Sequence, residues 1–113
     1  MKAETLKGHL DMLLLAILGD GPNHGYAVIE ELRRRSGEAF DLPEGTVYPA
    51  LHRLQRAGLL ASSWTEANGR RRRVYTLTSD GREALASQRR EWEGFSLAVG
   101  RVLMGGQPWP TPA

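Results

Sequence analysis

Four consecutive arginines, Arg70, Arg71, Arg72 and Arg73, directly follow an Asn68-Gly69 step. Guanidinium groups this close repel one another unless an anion lies nearby, and their planar N–H forks suit phosphate oxygens. Arg53 and Arg56 add to them from the preceding segment "EGTVYPALHRLQRAGLL". Between Glu44 and Tyr75 six arginines stand against two acidic residues, a local balance of +4, whereas the whole 113-residue chain carries +2. A charge run is ordinarily a solvated face. Here phosphate contact is the preferred reading, and it implies steep salt dependence.

Catalytic chemistry finds no comparable support. There is no Cys to act as a nucleophile, metal ligand or disulfide partner,. His9, His24 and His52 are dispersed and lack metal-ligand spacing,. No serine sits in a nucleophile elbow, and "GDGPNHG" lacks the signature of a phosphate-binding loop,. The expectation is therefore no catalytic residue, no metal and no cofactor. The longest apolar run, residues 12–18, is too short to span a bilayer, and the N-terminus lacks a secretory pattern, so the expected location is the cytoplasm,. A chain of this length buries only about two thirds of its unfolded surface, which favours further burial between two copies.

These side chains need elements to position them. Residues 9–18 are apolar at almost every position and read as a helix buried on most sides,. Gly19, Gly21 and Pro22 break the chain and Asn23 can cap a second helix over residues 24–36, with Val28, Ile29 and Leu32 on one face,. A third helix begins at Pro43 and ends at Gly58,. Its Val47, Ala50, Leu51 and Leu54 face inward, while Gly45, Pro49, His52, Arg53 and Arg56 face outward, flanked by Thr46 and Tyr48,. The period then changes, and strands over 60–65 and 72–78 flank the Asn68-Gly69 turn,. A last helix starts near Ser79 behind Thr78 as its cap, with Leu85, Trp92 and Val99 spaced by seven and Gln88, Phe95 and Val102 as a second row,. Packing on its own domain is the bland account of that helix; an intersubunit role is preferred. The fold class is mainly α with a small β-hairpin, in the order of a winged helix-turn-helix with a C-terminal dimerisation helix. Residues 1–78 form the winged helix, 79–104 the dimerisation helix and 105–113 a disordered tail.

Winged helices also serve as protein-binding modules, and such a module without a DNA role is the alternative from another class. Specific residues favour the first reading. The segments "HGYAVIEEL", "LPEGTVYPALHRLQRAGLL" and "GRRRRVYTLTSDGREAL" resemble the PadR family of bacterial transcriptional regulators over about residues 10–103. The resemblance is to the short subfamily. It implies a homodimeric repressor bound to double-stranded operator DNA, whose last helix packs across the dimer on the partner's first helix.

Within that frame Thr46, Tyr48, Pro49, His52, Arg53 and Arg56 form the expected groove-facing surface, with Arg70, Arg71, Arg72 and Arg73 on the backbone. Alternation along a strand implies that two of the four wing arginines point away from the DNA. Arg53 can reach a guanine edge or a phosphate, and Arg56 is assigned to phosphate. Tyr48 either joins the recognition surface or packs under the wing. Pro49 has two explanations: it kinks the helix against Gly45, which has no Cβ, or the regular helix begins with Thr46 as its cap. Trp92 either packs a dimer or lines a pocket for a planar aromatic effector between subunits, which the resemblance implies for some members. Met12, Leu13, Leu85, Phe95 and Val99 are grouped with it.

Overall fold

The third helix runs unbroken through its proline. The computed structural model describes residues 6–105, in which α3 spans Glu44–Arg56 with Pro49 inside it. Pro43 is the N-cap, with extended backbone, and its carbonyl accepts from the amides of Thr46 and Val47 at 3.0 and 3.2 Å. Thr46 therefore lies within the helix and does not cap it, and Pro43 stands one residue outside its expected position. The proline is tolerated because the carbonyl it deprives of a donor belongs to Gly45, which is exposed to solvent in the first turn,. Past Arg56, Gly58 takes φ 80° and donates to Gln55 O, while Leu59 N donates to Leu54 O, the paired bonds of a Schellman closure,.

Two helices precede it. α1, Leu10–Gly19, buries Leu14, Leu15, Ile17 and Leu18 but leaves Leu10, Met12, Leu13 and Ala16 half-buried, so its expected burial holds on one side only. α2 covers Gly25–Arg35 and sinks Val28, Ile29 and Leu32 into the core. Its cap is His24 rather than Asn23: the ring Nδ1 accepts from Ala27 N at 3.3 Å, and Asn23 Oδ1 accepts from His24 N.

The sheet has three strands, one more than the sequence pattern suggests. β2, Leu60–Ala67, and β3, Arg70–Leu77, form a hairpin that pairs Leu60 with Leu77 and Ala67 with Arg70. Asn68 and Gly69 both adopt positive φ, at 54° and 75°, so the turn closes in two residues and the strands extend to its edge,. The added strand is β1, Asn23–His24, antiparallel to β3 opposite Tyr75 and Val74. Two residues carry no periodicity, so only the exposed edge of β3 makes them a strand.

α4, Ser79–Leu103, is capped by Thr78, whose hydroxyl accepts from Gly81 N at 3.0 Å and donates to Gly58 O at 2.7 Å. One side chain thus joins the end of α3 to the start of α4. The first half of α4 packs along α1 of its own chain, with Leu85 against Gly19 and the Trp92 ring edge-on to His9 at 5.2 Å. The bland account of the helix therefore holds for this half. The second half projects outward, with Phe95, Val102 and Leu103 exposed. The tail expected to be disordered lies, apart from Gly105, outside the described residues. Among the described residues no helix is long and apolar enough to cross a membrane.

Gly81 sits so close to the Leu59 carbonyl that a Cβ there would overlap it. Gly81→Ala should therefore destabilise the fold by about 1 to 3 kcal/mol, read as a lower urea midpoint at unchanged slope.

Candidate nucleic-acid interface

The outward face of α3 and the wing border one another. Pro49, His52, Arg53 and Arg56 are exposed on α3, and Thr46 is half-buried at their flank. Tyr48 is not freely presented. Its ring lies over Gly25 at the start of α2, where any Cβ would collide with it, and burial together with the Glu44 charge pushes its phenol pKa up. Its packing partner is the start of α2. This contact also gives the glycine of "HGY" its reason: the helix start must come within ring contact of α3.

A hydrogen-bond chain ties wing to helix. Arg73 Nε donates to Ser62 Oγ at 2.9 Å, and Ser62 Oγ donates to Gln55 Oε1 on α3 at 2.9 Å. On the near side a groove of about 370 Å³ is lined by His52, Gln55, Arg56 and Arg73. On the far side another of about 320 Å³ runs between the start of α2 and the wing, lined by His24, Gly25, Tyr26, Tyr48, Arg71, Arg72 and Arg73.

Strand alternation splits the four wing arginines into two pairs. Arg71 and Arg73 lie over the Trp64 ring, their guanidinium carbons 4.8 and 5.2 Å from its centroid. Trp64 is 55% exposed, and the two cations hold it as a shared platform,. Arg70 and Arg72 occupy the opposite face, where Arg72 Nη1 stands 3.0 Å from His24 Nε2. Ser62, Gln55, Trp64 and His24 are thus site residues that sequence reasoning did not single out. Trp64 was legible as the residue paired with Arg73 in the hairpin register; the other three depend on tertiary contacts.

The wing cations differ from the arginines of α2 in what they touch. On α2, Arg33 pairs with Glu30 and Glu38, Arg34 with Glu31, and Arg35 with both Glu31 and Asp20, at 2.8 to 3.5 Å. Hydrogen bonds from Arg34 and Arg35 draw the Glu31 carboxyl down to about 2. Arg53 is ion-paired to Asp11 of α1. Among the described residues, Arg56, Arg70, Arg71, Arg72 and Arg73 have no acidic partner within ion-pair distance. Five guanidinium groups without an acidic partner thus lie on the wing and on the adjoining end of α3.

Comparison with known proteins agrees with this arrangement. The transcriptional regulator PadR-like family matches residues 14–87. The chain belongs to the PadR-like family of transcriptional regulators. It is 41% identical over 88 residues to the transcriptional regulator Rv3488 of Mycobacterium tuberculosis, covering 78% of this chain and 76% of that one. Among solved structures, a transcriptional regulator from Clostridium thermocellum superposes with a TM-score of 0.81 at 26% identity, over 88% of this chain and 97% of the other. A PadR family transcription regulator from Clostridium difficile gives 0.77 at 31% identity, over 84% and 98%. The fold is thus the winged helix-turn-helix of PadR-like regulators, a family of transcriptional regulators.

The second group of residues expected in this PadR-like chain is only partly brought together. Met12, Trp92 and Phe95 line a groove of about 400 Å³ with Gly8, His9, Gln88 and Glu91. Leu13 faces a different hollow, beside Leu32 and Phe40. Leu85, grouped with Trp92 on its sevenfold spacing, is 9% exposed and belongs to the domain's own core, because α4 is still packed on α1 at that level. Val99 lies one heptad beyond Trp92 on the projecting half and is exposed.

Trp64 contributes little buried area, so Trp64→Ala should leave unfolding free energy within about 0.5 kcal/mol of the parent. It should nonetheless elute from an immobilised polyanion such as heparin at lower salt, because Arg71 and Arg73 lose the ring that aligns them.

Proposed function

We propose that this regulator binds double-stranded operator DNA as a homodimer and represses transcription by occupying it. The observation that carries the reading is the set of unneutralised arginines on the wing and α3, bordering an outward helix face that includes Pro49 and His52. In this reading α3 enters a major groove, where Thr46, Pro49, His52 and Arg53 meet base edges, and Arg56 and the wing arginines contact the backbone. Arg53 must exchange Asp11 for the nucleic acid, which makes it the costlier contact. Tyr48 acts by setting the spacing between α2 and α3.

Residues 1–78 then form the DNA-binding unit and 79–104 the dimerisation helix. Phe95, Leu97, Val99, Val102 and Leu103 are exposed along the projecting half of α4, with Val102 at 80%. So much apolar surface, all but Leu97 on one helix face, calls for a second copy, in which Met12 and Leu13 would also be covered. A two-fold dimer reads a pseudo-palindrome with half-sites about 34 Å apart. A cytoplasmic location accords with this role. The groove beside Trp92, with its rings, Gln88 and the Glu91 carboxylate, suits a planar aromatic effector, cationic by preference. Bound there, it would shift the spacing of the two α3 helices and lower affinity by its difference in binding to the two states.

The first test is a titration onto duplex from upstream of the protein's own gene, over about 50 to 200 mM salt, with scrambled duplex as competitor. Binding should fall steeply with salt and outlast the competitor. Replacing the four wing arginines with alanine should lower the salt slope by about 0.9 for each phosphate that is no longer neutralised. Equal, weak binding of both duplexes by parent and variant would favour the protein-interaction module. For the assembly, Val102→Glu should sediment as a monomer where the parent sediments as a dimer, and quenching of tryptophan emission by planar cations should vanish in Trp92→Ala while dimerisation persists.

A further inference from the structure

His24 has two neighbours that make incompatible demands on it. As the cap of α2, its Nδ1 accepts from Ala27 N at 3.3 Å, which requires that nitrogen to be unprotonated. A neutral ring then carries its proton on Nε2, and Nε2 lies 3.0 Å from Arg72 Nη1, itself a donor,. The other tautomer moves the conflict to Ala27, so no neutral state of the ring satisfies both contacts. Burial and the Arg72 charge both lower the imidazole pKa, and the charged ring, a donor on both sides, would worsen matters. One change resolves the conflict: the Arg72 side chain turns off the ring nitrogen, and an anionic oxygen accepts from Nε2–H and the guanidinium together.

The surroundings suit such an oxygen. The pair opens onto the groove of about 320 Å³ between the start of α2 and the wing, lined by Arg71, Arg72 and Arg73 of β3 and walled by Tyr26 and Tyr48. Among the described residues no carboxylate lines it. Its two sides cannot drift apart, because His24 and Val74 are paired across β1 and β3.

We propose that His24 and Arg72 form a clamp for one backbone phosphate of duplex DNA, at the junction of α2 with the wing. The proposal rests on the DNA-binding reading above and adds to it a contact outside α3. A single duplex would then be held on both sides of Tyr48: by α3 in the groove and by this clamp on the flanking strand. Because the histidine is a neutral donor, it contributes a hydrogen bond without releasing a counterion, and Arg72 contributes both.

The test uses the full chain and duplex of arbitrary sequence, since a phosphate contact carries no sequence information. His24→Asn retains a capping oxygen for Ala27 and loses the Nε2 donor. It should unfold at the parental urea midpoint and bind DNA about tenfold more weakly, as expected for a lost hydrogen bond to a charged group, with the salt slope unchanged. Should H24N lower the midpoint, His24→Ser, which also caps, takes its place. Arg72→Gln should weaken binding and lower the slope by about 0.9 for each protomer bound. Combined with H24N it should cost less than the two separate effects together, because both side chains hold one phosphate.

Parental affinity in H24N, or strict additivity in the double variant, would overturn the clamp while leaving the regulator's DNA binding intact. A parent that binds no duplex even at low salt would remove the DNA reading and the clamp with it. Inorganic phosphate is the control for a small anionic ligand. If it shifts the His24 ring resonances while duplex leaves them unmoved, the site belongs to a small molecule and the DNA assignment fails.

Discussion

The burial of one short apolar helix governs this fold. Leu14 and Leu15 of α1 are wholly enclosed and Leu18 is 1% exposed, and α2, α3, β3 and the first half of α4 all pack around them. Truncating any one of these leucines would cost about 2 to 5 kcal/mol, a large part of the stability of a domain this size. Because α1 is only ten residues long, it cannot support the full 25-residue α4. α4 is therefore anchored as far as Trp92 and projects beyond it, which leaves an apolar face uncovered. The same helix sets the orientation of α3, whose inward residues Val47, Leu51 and Leu54 meet the core and so turn Pro49, His52 and Arg56 to solvent.

Two arginine runs of nearly the same composition have different surroundings, and the reason lies in backbone period. On α2, residues three and four apart share a face, so Glu30 and Glu31 reach Arg33, Arg34 and Arg35 within the same helix,. On β3 the neighbours are cross-strand, and Glu66 opposite Arg71 is the single acid that the hairpin register offers; among the described residues it forms no ion pair. The wing arginines meet an indole, a serine hydroxyl and an imidazole instead. Charge on the first run is neutralised locally, and among the described residues charge on the second is not.

The junction between wing and helices is built from close approaches. Gly25 admits the Tyr48 ring, Gly81 admits the Leu59 carbonyl, and the two residues of β1 bind the start of α2 to the wing. Each contact ties elements that are distant in the chain, so the wing is held at a set distance from α3. Preorganisation of this kind limits the ordering cost at the moment of association, which matters for arginines that carry many rotamers.

The sequence alone determined the elements and most of their faces. Periodicity placed α3 and its inward leucines, the Asn68-Gly69 step placed the hairpin, and Thr78 marked the start of α4; the motifs around "HGY" and "GTVYPAL" pointed to the family. These features rest on interactions within a few residues of one another, which is the range a sequence pattern records. Tertiary structure decided the rest. It assigned Leu85 to the domain's own core although its spacing matched Trp92, because spacing gives a face but not the element that covers it. It packed Tyr48 on the start of α2, engaged Arg53 with Asp11, and made a strand of Asn23 and His24. All of these depend on contacts between residues more than twenty positions apart, and the donors, acceptors and free volume that fix them exist only once the chain has folded.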